Sequence, residues 1–141
     1  MKRKWFDKKV LICGLSKSGV AAAEYLNSKG ADCFLTEFKP AEDKDKELIE
    51  RLEKEGIKVE TGGHSDEFLD GAYLAVMSPG ISPQKDIYKK LKEKNIPTMG
   101  EVQLAFDETD STFIAITGTN GKTTTTTLIG HLLSCLLYTS P

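Results

Sequence analysis

The chain has 141 residues, 39% hydrophobic and 28% charged, which suits a soluble globular protein of one full domain and a further piece. Its 19 basic and 21 acidic residues leave a net charge of −2, with no basic excess to hold a nucleic-acid backbone. The apolar run Val10 to Cys13 is too short for a signal-peptide core, and Leu128 to Tyr138 is too short to span a membrane, so a cytoplasmic protein is expected.

Lys2, Arg3, Lys4, Lys8 and Lys9 make the N-terminus basic. Lys9 to Gly14 (K-V-L-I-C-G) is a continuous apolar run ending in glycine, the pattern of a strand buried on both faces. Ser18 to Lys29 predicts a helix with Val20, Ala23 and Leu26 on one stripe and Gly30 as its stop. Asp32 to Thr36 predicts a second strand. Lys44 to Glu55 predicts a charged helix with Leu48, Ile49 and Leu52 inward, closed by Gly56. Ile57 to Thr61 and Tyr73 to Met77 predict strands three and four. Asp86 to Lys94 predicts a helix with Ile87 and Leu91 inward, and Pro97 to Met99 a short fifth strand. Glu101 to Phe106 reads as a connecting helix, and 107–111 (D-E-T-D-S) as a polar linker. Alternating strands and helices imply a Rossmann-like α/β domain over 1–106, a parallel sheet covered on both faces. Cys13 and Cys33 fall in predicted strands as small apolar residues. With no C-x-x-C, and His64 and His131 far apart, zinc is not expected.

The turn after strand one, Gly14-Leu15-Ser16-Lys17-Ser18-Gly19, is a dinucleotide fingerprint with serine in the middle glycine position. That glycine normally admits a pyrophosphate close to the backbone. Ser16 adds a Cβ there, which disfavours a nicotinamide cofactor in its usual pose. Helix N-terminal N–H groups, Lys17 and Ser18 still suit a phosphate or diphosphate. The competing reading is a tight turn that binds nothing. Glu37 ends strand two about 20 positions on, where an acidic residue commonly touches a nucleoside; alone, it reads equally as a solvated loop acid. Ser78-Pro79-Gly80 ends strand four at the same carboxyl edge, as a ligand-facing turn or a plain one. His64 follows two glycines and reads as a turn or sheet-edge residue rather than a general base. His131, on the helix after residue 127, reads as structural or exposed.

Thr117 to Thr127 (T-G-T-N-G-K-T-T-T-T-T) lies between an apolar β-type run, Thr112 to Ile116, and the helical segment Leu128 to Leu133. Strand, glycine-rich turn, Gly-Lys-Thr and helix is the layout of a nucleotide triphosphate loop. Successive backbone N–H groups and the helix N-terminus would face the phosphates. Lys122 would reach the β/γ-phosphates and the Thr123 hydroxyl would hold Mg²⁺. The loop is shorter than the common form, with Ile116 where the usual first glycine falls. A chance Gly-Lys-Thr in a threonine-rich helix start is the other reading.

The short loop G-T-N-G-K-T-T, with K-K-V-L-I-C-G-L-S-K-S-G-V-A-A-A, G-G-H and M-S-P-G, resembles the Mur ligase family, ATP-dependent enzymes that add amino acids to the peptidoglycan precursor. The resemblance reaches about Ser134 and favours the branch that adds D-glutamate to UDP-N-acetylmuramoyl-L-alanine through an acyl phosphate. The runner-up is the L-alanine-adding branch, which typically has histidine where Asn120 stands. A non-catalytic nucleotide-sugar-binding module also stays open, and an oxidoreductase is opposed by Ser16 and the phosphate loop. The resemblance implies that Lys17 and Ser18 contact the diphosphate of the UDP-sugar, that Glu37, Phe38 and Lys39 lie near its uracil, and that Gly80 admits the same ligand closely. It implies that Gly118, Thr119, Asn120, Gly121, Lys122, Thr123 and Thr124 cradle ATP, with Lys122 and Thr123 catalytic and Thr123 on Mg²⁺. A monomer is expected.

Only about 30 residues remain from Thr112 onward, below the size of a self-sufficient domain. The chain is therefore expected to be the N-terminal piece of a longer enzyme, inactive alone, with 112–141 the start of its central ATP-binding domain. Residues 135–141 (C-L-L-Y-T-S-P) fit this frame poorly and match one reading frame of a transposon-end sequencing adapter. The codons for 135–141 are expected to spell that adapter; an unrelated codon series refutes the idea.

Overall fold

The computed structural model describes residues 4–138. Lys2 and Arg3 of the basic N-terminus, and 139–141 of the segment expected to be non-native, lie outside the described residues. The chain divides into two compact units, Met1–Thr109 and Asp110–Pro141.

In the first unit five strands alternate with helices: β1 (Lys9–Cys13), α1 (Lys17–Ser28), β2 (Asp32–Glu37), α2 (Lys46–Lys54), β3 (Lys58–Thr61), α3 (Asp66–Leu69), β4 (Leu74–Met77), α4 (Asp86–Glu93), β5 (Thr98–Gly100) and α5 (Glu101–Asp107). The sheet is parallel throughout, in the order β3-β2-β1-β4-β5. β1 is central because its residues are apolar on both faces. Val10 and Ile12 point into one core layer with Leu26, Cys33, Leu35, Leu52 and Leu104, while Leu11 and Cys13 point into the other with Leu69, Met77, Ile87 and Leu91. The strand order reverses beside β1, so a crevice opens at the carboxyl ends of β1, β2 and β4.

Helix α1 starts one residue before its predicted position because Ser16 is its N-cap, accepting the Gly19 N–H at 3.1 Å. It buries Val20, Ala23 and Leu26, as its periodicity indicates, and Gly30 at φ +86° ends the turn that follows. The expected helix from Lys44 opens as a 3-10 turn, Asp43–Asp45, before α2. The short α3 was not anticipated; Ser65 caps it by accepting the Phe68 N–H at 3.3 Å. Strand β5 lies one residue later than predicted, since Pro97 has no N–H and enters the ladder only through its carbonyl, which accepts the Ala75 N–H at 2.9 Å.

The buried cysteines Cys13 and Cys33 are free thiols, and burial pushes each up to about 12, so they stay protonated and pack as apolar groups.

Among the described residues of the second unit there is one helix, α6 (Lys122–Tyr138). The strand expected at Thr112 to Ile116 does not form: these residues are in no ladder. A strand exists only as part of a ladder, and among the described residues no ladder includes this segment.

Two glycines hold the first turn. Gly14 has φ +115°, and a Cβ there would lie 2.9 Å from Ser78 Cβ. A Cβ at Gly19 would lie 2.3 Å from the Gly14 carbonyl oxygen, a backbone atom that cannot swing aside. Gly19→Ala should therefore cost at least the ~1–3 kcal/mol of an overpacked site and lower the Tm of the first unit by several degrees. Gly100→Ala, where an added Cβ meets nothing within 4 Å, should shift the Tm far less. Thermal unfolding followed by circular dichroism compares the two; equal shifts would refute the close-approach argument.

Candidate functional site

At the carboxyl edge of the sheet lies a cavity of about 570 Å³, lined by Gly14, Glu37, Phe38, Lys39, His64, Gly80, Ile81, Lys85, Asp86, Ile87 and Lys90. Four of the five strand ends supply part of it: Gly14 follows β1, Glu37 ends β2 with Phe38 and Lys39 after it, His64 follows β3 and Gly80 follows β4. Helix α4 closes one side with Ile87 and Lys90. Four residues named from the sequence, Glu37, Phe38, Lys39 and Gly80, thus share one cavity. Lys17 and Ser18 are exposed on the first turn of α1 and do not line it. They stand three and four residues beyond Gly14, which does.

Glu37 is more constrained than its sequence position suggested. One carboxylate oxygen accepts the Leu15 N–H at 2.9 Å and the other accepts the Lys39 N–H at 3.1 Å. The acid therefore ties the glycine turn to the end of β2, using two of its about four lone-pair sites. Phe38 beside it is 67% exposed, a large apolar face open to a ligand.

In sequence His64 reads as a turn or sheet-edge residue, and Lys85 and Lys90 carry no signal. In the structure the His64 ring is half-buried, lines the cavity and has Nδ1 2.8 Å from the hydroxyl of Thr36, itself fully buried. The Lys90 ammonium donates to the His64 carbonyl at 2.8 Å and so joins α4 to the loop after β3. The usable signal was Thr36, a polar residue at the end of an otherwise apolar buried strand, which needs a partner from elsewhere. Burial lowers the His64 pKa below its ordinary value; Lys90 acts the same way, and Glu60 and Glu37 oppose.

A second cavity of about 420 Å³ adjoins β4 and β5, lined by Met77, Ser78, Pro79, Tyr88, Met99 and Glu101 among others. It shares Ile81 with the first.

Near the end of the first unit, Glu108 accepts from Lys4 at 2.6 Å and from the Tyr25 hydroxyl at 3.0 Å. Burial alone would raise its pKa, but these donors hold the carboxyl below the usual carboxylate value.

In the second unit, Gly118 and Gly121 take φ +148° and +77°, conformations that L side chains rarely adopt. Between them the loop brings the Lys122 ammonium back onto its own carbonyls, 2.5 Å from Gly118 O and 3.4 Å from Thr119 O. Thr123 and Thr124 follow Lys122 in the first turn of α6, where backbone N–H groups lack intrahelical acceptors. Thr126 and Thr127 turn their hydroxyls onto the Lys122 and Thr123 carbonyls. His131 is exposed.

This sheet order, the glycine turn and the carboxyl-edge cavity define a Rossmann-like α/β domain, and residues 8–100 match the family described as Mur ligase MurD-like, N-terminal domain. The chain belongs to that family. It is 46% identical over 129 residues to the UDP-N-acetylmuramoylalanine–D-glutamate ligases of Streptococcus pneumoniae strain Hungary19A-6 and serotype 19F strain G54. That alignment takes in 91% of this chain and 28% of each relative, so the chain spans under a third of their length. Among solved structures it resembles a pseudomurein peptide ligase type C from Methanothermus fervidus, with a TM-score of 0.63 over 92% of this chain and 26% of that one. At 24% identity this is a likeness of fold.

His64 also sets a pH dependence. Its folded pKa is depressed, so the unfolded chain takes up the proton first. The stability it contributes is full above about 6.5 and is lost as pH falls through the folded value. His64→Gln, which removes the titrating ring, should flatten the decline of Tm just below pH 6.5. Superimposable Tm–pH curves for the two proteins would refute it.

Proposed function

We propose that residues 1–106 are the UDP-sugar-binding domain of an ATP-dependent amide-forming ligase of peptidoglycan precursor synthesis, 107–111 its linker and 112–141 the opening of its ATP-binding unit. The full-length protein, a cytoplasmic monomer, joins D-glutamate to UDP-N-acetylmuramoyl-L-alanine by way of an acyl phosphate. The cavity that gathers Glu37, Phe38, Lys39 and Gly80 at one sheet edge carries this reading. Likeness to the pneumococcal ligases supports D-glutamate as the amino acid added.

The glycine turn and α1 bind the diphosphate. Ser16 spends its hydroxyl on the Gly19 N–H, which leaves the Lys17 and Ser18 N–H groups at the positive end of the helix. The Lys17 ammonium and the Ser18 hydroxyl add donors. Phe38 and Lys39 receive the uracil, while Glu37 holds the floor of the site through the Leu15 and Lys39 amides.

The loop from Gly118 to Thr124 fits a triphosphate. Its two positive-φ glycines turn the backbone ahead of a helix N-terminus, and its lysine is already folded over the loop. Lys122 would hold the β/γ-phosphates and Thr123 the Mg²⁺. Bound there, MgATP supplies the phosphoryl group that activates the alanyl carboxylate. Lys122 then offsets the charge that develops as this group transfers.

Calorimetric titration of this chain should show UDP binding without ATP, weaker as salt rises because Lys17 and Lys39 lose their electrostatic contribution. Tight NAD binding with no response to UDP would replace this reading with the oxidoreductase one. The chain alone should release no ADP in a reaction dependent on D-glutamate and the UDP-sugar. In the full-length enzyme, Lys122→Ala should slow ligation by roughly a hundred- to thousand-fold and leave UDP-sugar affinity unchanged. Near-normal turnover in that variant would refute the role given to the loop.

A further inference from the structure

The Thr36 hydroxyl oxygen lies 3.2 Å from Glu60 Oε1, 3.1 Å from the Gly63 carbonyl oxygen and 2.8 Å from His64 Nδ1. A hydroxyl has one proton to give, whereas a carboxylate and a carbonyl can only accept. The proton therefore goes to Glu60 or Gly63, and the contact with the ring is completed in the other direction: His64 Nδ1–H donates to Thr36 Oγ1. A lone pair on Nδ1 would instead set three acceptors around one proton. In the neutral ring this tautomer leaves Nε2 as an acceptor. Among the described residues nothing hydrogen-bonds Nε2, and the ring lines the cavity.

We propose that His64 Nε2 reads the imide N–H of the uracil ring and so determines the specificity of this site for its base. The inference rests on the UDP-sugar reading of the cavity. An imide edge presents one N–H between two carbonyl oxygens, and the lining offers its complement. His64 supplies the acceptor, and Lys39 and Lys85 supply cationic donors around the same cavity. Phe38 lies with its ring centroid 6.0 Å from that of His64 and the planes tilted by 39°, giving the base an apolar face. The charged groups acting on the ring are Glu60 and Glu37, which favour the imidazolium, and Lys90, which opposes it. Burial outweighs the two carboxylates and keeps the ring neutral, so the acceptor persists at neutral pH.

The test compares UDP with its N3-methyl analogue, which cannot donate from the imide. The chain should bind UDP about tenfold more tightly or better. That preference should vanish in His64→Phe, and it should shrink on acidification as Nε2 gains a proton. Two-bond proton–nitrogen correlation spectra of the free chain should show His64 as the Nδ1–H tautomer, a readout that needs no variant. Equal affinity for UDP and the analogue, a preference that persists in His64→Phe, or an Nε2–H tautomer would overturn the inference and leave the UDP-sugar reading standing. A chain that binds no UDP at all would overturn that reading itself.

Discussion

Helix α1 leaves β1 through a turn in which residue 19 passes so close to the carbonyl of residue 14 that there is no room for a side chain. The rest of the first unit depends on that approach. It sets α1 against the sheet, where Val20, Ala23 and Leu26 close one core layer. It also aims the positive end of the helix at the carboxyl edge, where β1, β2 and β4 end together. Ser16 completes the arrangement by capping the helix with the hydroxyl that replaces a fingerprint glycine. A substitution that looks like a loss for phosphate binding is thus a gain for the helix terminus.

The strand ends are joined by polar groups rather than by packing. Glu37 links the end of β2 to the glycine turn, Thr36 links β2 to the loop after β3 through His64, and Lys90 links that loop to α4. Each link satisfies a group that burial would otherwise leave costly. The same links fix the cavity wall, so stability and site geometry share residues. Directions of pKa change agree: burial holds His64 neutral, whereas Glu108, with Lys4 and Tyr25 as donors, stays ionised.

Much of the first unit was legible in the order of the residues. Segments of strand length mark β1 to β4, with β1 a continuous apolar run, helical stripes mark α1, α2 and α4, and glycines mark several of their ends. Thr112 to Ile116 misleads because its composition is that of a strand while no ladder among the described residues includes it. Glu37 was placed at the right edge, but its bonds to two backbone amides had no signal in sequence. His64 reads in sequence as a turn residue, since a histidine after two glycines carries no mark of the buried hydroxyl 28 positions earlier that orients its ring.

The sequence by itself determined the alternation of strands and helices, the glycine turn after β1, the glycine-rich turn before α6 and the family, because these depend on short-range periodicity, backbone freedom at glycine and local spacing. Only the tertiary structure decided that Glu37, Phe38, Lys39, Gly80, His64 and Lys90 line one cavity, and that Lys17 and Ser18 stand outside it. The reason is physical. Parallel strands far apart in the chain meet only through the sheet, and their register brings the ends of β1, β2 and β4 to one edge. Which polar groups then face one another follows from that register and from the twist and packing of the layers, quantities that no local stretch of residues encodes.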